Sequence, residues 1–276
     1  MADLFGSDAF APAEIARRVE EVGVAKARLP LLQTAMLGVM AGAFIALGAL
    51  YYTLVASDAS LGFAATRIAG GVCFSLGLLL VVVAGAELFT GNNLLAMAWA
   101  AGRISAADVL RNWVVVCAAN FAGAAGIAIL VWLSGHAQMN GGAVGATVLK
   151  IAAAKAALPA WQAFFLGVLC NILVCMAVWM AMAGRSVVDK AVAIVFPISA
   201  FVAAGFEHSI ANMYFFPLAL LLKADGGALP AGGEAITFVA MLENLGPVIA
   251  GNIVGGSVLV AMVYWVIYLR GQERGS

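Results

Sequence analysis

Ala84-Gly85-Ala86-Glu87-Leu88-Phe89-Thr90-Gly91-Asn92-Asn93 and Ala204-Gly205-Phe206-Glu207-His208-Ser209-Ile210-Ala211-Asn212 are two polar clusters, each inside a long apolar run. Both begin Ala-Gly-x-Glu, and both place an asparagine five residues after the glutamate. Polar groups in hydrocarbon are costly. Two related clusters at membrane depth therefore point to a permeation path built from an internal repeat.

The runs that hold the clusters span about 68–100 and 190–222, about 33 residues each. As unbroken helices they would reach about 50 Å, against a hydrocarbon core of about 30 Å. The expected solution is a helix that enters, unwinds at the cluster and resumes as a half-helix. Unwound backbone at that depth is tolerated only beside protein or a water-filled cavity. Four more apolar segments, about 31–55, 112–134, 158–183 and 244–269, suit single crossings.

The two halves correspond further. Leu37-Gly38-Val39 resembles Leu166-Gly167-Val168, and Asn120-x-x-Gly123 resembles Asn252-x-x-Gly255. Each half thus carries three membrane elements in one order, and an odd number makes the second half enter from the opposite side. The expected fold is an all-α membrane protein of six transmembrane segments, an inverted 3+3 repeat with segments two and five broken. The chain divides into an N-terminal amphipathic helix within 1–29, a transmembrane channel domain over 30–270 and a C-terminal tail, 271–276.

Composition sets the same class. Apolar residues make up 64% and charged residues 10%, too few charges to cover a soluble surface of this size. The formal net charge is zero and no basic tract exists, which argues against nucleic acid as a partner and leaves the lipid bilayer. Cys73, Cys117, Cys170 and Cys175 all lie in apolar segments and read as small core residues. No His-Glu-x-x-His, no Gly-x-Ser-x-Gly and no His/Cys/Asp ligand set occurs, so no enzyme, metal site or cofactor is expected.

The first thirty residues are charged and lack an apolar h-region, so no cleavable signal peptide is expected. Pro12 suits a helix start, and Ile15, Val19 and Val22 share one face, which suits a membrane-surface helix or a solvated lead-in. With both termini in the cytoplasm, ten basic residues fall inside: Arg17, Arg18, Lys26, Arg28, Arg103, Arg111, Arg185, Lys190, Arg270 and Arg274. Only Arg67, Lys150, Lys155 and Lys223 fall outside, as the positive-inside tendency prefers. Gly38-x-x-x-Gly42 and Gly251-x-x-x-Gly255 offer faces for close helix packing, read as intramolecular.

Phe89-Thr90-Gly91-Asn92, Gly184-Arg185-Ser186 and the run from Gly205 to Met213 resemble the formate/nitrite transporter family. Gly251-Asn252-Ile253-Val254-Gly255-Gly256 and Tyr264-Trp265-Val266-Ile267-Tyr268 do too. The resemblance spans residues 12 to 270 and is strongest to the bacterial formate channels. It implies an aquaporin-like helical fold, a homopentamer with a pore in each protomer, a bacterial inner membrane and small anions, formate first and nitrite or hydrosulfide second.

His208 is one of two histidines and sits inside an apolar span. Its charge is the most easily changed near neutral pH, so it can attract a small carboxylate and hand it a proton. Hydrogen-bonded packing is the alternative. Thr90 can donate to an anion or bond to His208, or cap a broken helix. The resemblance makes His208 the central pore histidine and Thr90 the pore-loop threonine. Asn171 interrupts an apolar run and either lines a wet pore or bonds between helices; the resemblance implies the former. Glu87 and Glu207 would repel an anion and are expected to bond unwound amides or polar partners at the breaks. Lys155, expected in the external loop before segment four, is either solvated or a vestibule cation that gathers anions. His136 reads as a surface residue. Periodicity alone would make Phe74, Leu78, Phe201, Leu88, Phe89 and Val174 core. The resemblance implies an outer constriction at Phe74, Leu78 and Phe201, and an inner one at Leu88, Phe89 and Val174. Such gates pass a neutral acid more easily than a bare ion.

Overall fold

The computed structural model describes residues 9–270. Residues 1–8 and the tail 271–276, which includes Arg274, lie outside the described residues.

Helix α1 (Pro12–Ala27) starts on a proline, whose missing N–H costs nothing at that position. The Glu14 carboxylate accepts from the Ala11 N–H at 2.9 Å and closes the helix start. Beyond it run α2 (Leu31–Ala56) and α3 (Phe63–Leu80), the latter continued by a π turn, Val81–Gly85. After the first break come a 3-10 turn, Gly91–Leu94, and α4 (Leu95–Ala100). Then follow α5 (Ala106–Leu133), α6 (Ala143–Ala156), α7 (Ala160–Ala181) and α8 (Val187–Ala204). After the second break come α9 (Ser209–Ala224) and α10 (Phe238–Ile253), extended through a π-helical stretch, Val254–Met262, into α11 (Val263–Tyr268).

Six of these helices are long and apolar enough to cross a membrane: α2, α3 with its π turn, α5, α7, α8, and α10 through α11. Their outward faces carry exposed apolar side chains such as Leu110, Val114, Leu130, Phe196 and Val192, as lipid or a neighbouring protomer demands. The second span begins at Phe63 and the last at Phe238, each five or six residues earlier than hydropathy alone suggests. The end residues around Arg67 and Glu243 had lowered the local hydropathy without ending the helix.

The two long runs break where expected, by one device used twice. At each, a backbone N–H reaches five residues back: Ala86 to the Val81 carbonyl and Phe206 to the Phe201 carbonyl, both at 3.0 Å. The chain then turns through a glycine in the left-handed region, Gly85 at φ +82° and Gly205 at φ +78°. A side chain at either position would be strained, which accounts for the repeated Ala-Gly.

The inverted repeat is visible in the packing. α2 lies against α5, α7 against α10, and α3 against α8 across the pseudo-twofold. A Cβ on Gly42 would strike the Asn120 carbonyl, and one on Gly251 would strike the Phe164 carbonyl. These glycines therefore pack helices within one protomer.

Two elements correct the sequence reading. The apolar stripe of α1 faces protein rather than a membrane surface: Ile15, Ala16 and Val19 pack with Leu94 and Met97, and Val24 and Ala27 pack with Leu95 and Ala98. The stretch before α7 is not loop but helix α6, and it packs against α9. Its position in the second half matches that of α1 in the first. The repeat thus holds a short lead-in helix and three membrane elements in each half.

Candidate functional site

Each break is held by an asparagine from the third membrane element of its own half. Asn120 on α5 donates from Nδ2 to the Gly38 and Glu87 carbonyls, at 2.7 and 2.9 Å, and accepts from the Phe89 N–H at 2.9 Å. Asn252 on α10 donates to the Gly167 and Glu207 carbonyls, at 2.8 and 3.1 Å, and accepts from the Ser209 N–H at 3.1 Å. The glutamate N–H groups bond to Leu37 and Leu166 carbonyls, at 3.2 and 3.3 Å. Unwound backbone in a dry interior must find such partners, and one amide side chain supplies three of them.

The glutamate side chains are built into matching clusters. Glu87 accepts from Asn92 Nδ2 at 2.6 Å and pairs with Lys26 of α1 at 2.9 Å; Asn92 also donates to Asn112 at 2.9 Å. Glu207 accepts from Asn212 Nδ2 at 2.7 Å and pairs with Lys155 of α6 at 2.7 Å; Asn212 also donates to Asn244 at 2.7 Å. Each lead-in helix therefore brings one ammonium to one buried carboxylate, and the pairing offsets the cost of burying both.

Two cavities approach the breaks from opposite sides. One, of about 740 Å³, opens beside α1 and is lined by Lys26, Lys190, Val178, Glu87, Leu78 and Leu88 among others. The other, of about 320 Å³, opens beside α6 and is lined by Arg67, Lys155, Phe74, Phe201, Glu207 and His208 among others. Between them stand Thr90, fully buried, and His208, 2% exposed. The imidazole stacks on Phe201, centroids 5.7 Å apart at 20°, and meets the edge of Phe74 at 6.4 Å.

The ring's hydrogen bonds fix its tautomer. His208 is the residue before α9, and its Nδ1 accepts from the Ala211 N–H at 3.2 Å. A neutral ring then carries its proton on Nε2, which donates to Thr90 Oγ1 at 3.1 Å. The Thr90 hydroxyl proton is left to point elsewhere. Thr90 caps no helix with its side chain, so the capping role falls to the histidine instead. Thr90 and His208 each stand immediately before the first turn of a half-helix, where the partial positive charge of the helix end lies.

The sequence matches the formate/nitrite transporter family over residues 13–266. This chain belongs to that family. Among relatives, the formate channel FocA of Escherichia coli strain K12 is 41% identical over 277 residues, 97% of each chain. The formate channel FocA of Haemophilus influenzae is 38% identical, spanning 93% of this chain and 94% of the relative. A solved structure described as a pentameric formate channel with formate bound superposes with a TM-score of 0.78 at 38% identity, covering 87% of this chain and 98% of that one.

Within this transporter the sequence-derived candidates fall into three groups. Thr90, His208, Phe74 and Phe201 come together at the inner end of the smaller cavity. Leu78 departs from its expected place: it lines the larger cavity with Leu88, on the opposite side from Phe74 and Phe201. One helical turn puts Phe74 and Leu78 on one face, but that face spans the gap between the cavities. Phe89, Val174 and Asn171 line neither cavity. Asn171 is fully buried and donates to the Asn93 side chain and the Asn252 carbonyl, both at 2.7 Å, so its amide nitrogen ties helices together.

Lys26, Asn112, Asn244 and Arg67 were missed. A signal for three of them lay in the spacings. Lys26 precedes Leu37 by eleven residues, as Lys155 precedes Leu166; Asn112 precedes Asn120 by eight, as Asn244 precedes Asn252.

Proposed function

We propose that the protein is a channel for small monovalent anions, formate foremost. In this reading it is a homopentamer in a bacterial inner membrane, each protomer carries its own pore, and both termini are cytoplasmic. The smaller cavity is then the outer vestibule and the larger one the inner. The observation that carries the reading is the Thr90–His208 pair, placed between two facing cavities and walled by Phe74 and Phe201 on one side and Leu78 and Leu88 on the other. The names of relatives as formate channels, and the pentameric structure with formate, support the substrate and the assembly.

The geometry suggests how an anion is handled. A carboxylate leaving the outer cavity meets the free Thr90 hydroxyl proton, and it gains Nε2–H as a second donor by displacing that group's bond to Thr90 Oγ1, in a dry setting where such bonds are strong. A bare ion still faces apolar walls, and a neutral acid does not suffer the same penalty. Protonation of the carboxylate by Nε2 requires a proton on Nδ1 beforehand, and Nδ1 is held by the Ala211 N–H. Charging the ring therefore opens the cap of α9. The proton step and a small movement of the half-helix are one event.

The test is anion flux into liposomes for formate, nitrite, acetate, lactate and chloride at two pH values, with and without a proton gradient. Formate should lead the series. His208→Phe should remove the pH dependence. Absence of formate flux in the wild type would end the channel reading; unchanged flux and pH dependence in His208→Phe would remove the histidine from the mechanism.

A further inference from the structure

The charged side chains that line the outer cavity are Arg67, Lys155 and Glu207. Lys155 and Glu207 neutralise each other. Their Nζ–Oε1 distance is 2.7 Å, with side chains only 14% and 6% exposed. A cation paired that closely projects little field into the space in front of it. The net positive charge of the vestibule therefore belongs to Arg67.

Arg67 lies on α3, half-buried, and makes no ion pair among the described residues. Its hydrogen bonds go to neutral acceptors. Nε donates to the Ala203 carbonyl at 2.8 Å, Nη2 to the Val202 carbonyl at 2.9 Å, and Nη1 to the Tyr52 hydroxyl at 3.3 Å. These contacts cap the C-terminal end of α8 and rest the guanidinium on bare backbone. A Cβ at Gly205 would sit 2.7 Å from Nη2. Of the five N–H donors of an arginine, three are engaged, and one remains on each terminal nitrogen. Two donors on a fixed planar cation match the two oxygens of a carboxylate. His208 lines the same cavity at its inner end.

We propose that Arg67 is the capture site for a small carboxylate in the outer vestibule, while Lys155 serves to hold Glu207 and the break. The anion docks on the two unused N–H groups and then passes inward to Thr90 and His208. This rests on the anion-channel reading above and adds the residue that governs loading from the outer side.

The test uses the full-length protein in oriented liposomes, with formate added from either side over a range of ionic strength. Arg67→Gln should raise the half-saturating formate concentration for inward flux about fivefold, leave the maximal inward flux within about twofold and flatten its salt dependence. Outward flux should keep its wild-type half-saturation. Arg67→Lys, which retains the charge but not the two fixed donors, should restore the salt dependence and only part of the half-saturation. Three results would overturn the proposal: wild-type half-saturation in Arg67→Gln, wild-type half-saturation in Arg67→Lys, or wild-type inward flux indifferent to salt. The last needs no variant, so misfolding of Arg67→Gln leaves the test intact. A wild type that conducts no anion at all would instead sink the channel reading.

Discussion

The Thr90–His208 contact concentrates the chemistry in one hydrogen bond, 3.1 Å long and closed off from solvent. Thr90→Ser keeps the hydroxyl and should retain most formate flux. Thr90→Val keeps the shape, removes the acceptor for Nε2–H and the donor for an anion, and should lower flux at least about tenfold, the worth of a hydrogen bond or two in a dry site. Liposome flux at fixed pH reads both. Loss in Thr90→Ser with flux retained in Thr90→Val would mean that the methyl group, not the hydroxyl, matters. His208 and Thr90 were legible in the sequence because each is a rare polar residue inside an apolar run. Arg67 was not. It stands near a span end, where a basic residue reads as an ordinary flanking charge, and its acceptors lie more than a hundred residues away on α8. Leu78 was misplaced for a related reason: periodicity assigns a face, not the side of a plug that the face crosses.

The elements are held by close backbone contact and by buried pairs, and each can be tested by one change. Gly42→Ala drives a methyl into the Asn120 carbonyl and displaces the residue that holds the first break. It should cost about 2 kcal/mol or more. Gly126, in α5, has open space around it, so Gly126→Ala should be neutral or stabilise by up to about 1 kcal/mol through helix propensity. Thermal unfolding in detergent measures the difference. Lys155→Met leaves Glu207 buried with only Asn212 beside it, at a cost of about 3 kcal/mol; adding Glu207→Gln should recover most of that. If the double variant is no more stable than the single, the pair is not what Lys155 contributes. The broken helices were readable because their length exceeds the bilayer. α6 was not: fourteen residues, Ala143–Ala156, are too few to span and too apolar to look like a surface helix. Its kinship to α1 shows only when Lys26 and Lys155 are seen on equivalent glutamates.

At the scale of the whole molecule, two half-repeats of opposite sense meet at the buried Thr90–His208 pair. The same brackets are used on both sides: an asparagine on the break, a lysine on the glutamate, a glycine at the turn. The contents of the two halves then diverge. His208 stands where the first half has Leu88, and Ile210 stands where it has Thr90, so a symmetric frame encloses an asymmetric site. Sequence exposes the frame because frame residues recur, and it hides the cavities because their walls come from seven or more separated segments. The architecture predicts one-sided access. Val178→Cys lines the larger cavity and Ala154→Cys the smaller one. A membrane-impermeant thiol reagent should label Val178→Cys only from the α1 side and Ala154→Cys only from the α6 side. Wild-type labelling through Cys73 and Cys117, the two half-buried native thiols, sets the background. The proposed orientation, with both termini cytoplasmic, predicts that intact cells expose Ala154→Cys and protect Val178→Cys. Labelling of either variant from both faces would mean that the Thr90–His208 plug does not separate the vestibules. A charged solute would then need no handling at the midplane, and the histidine would have no barrier to relieve.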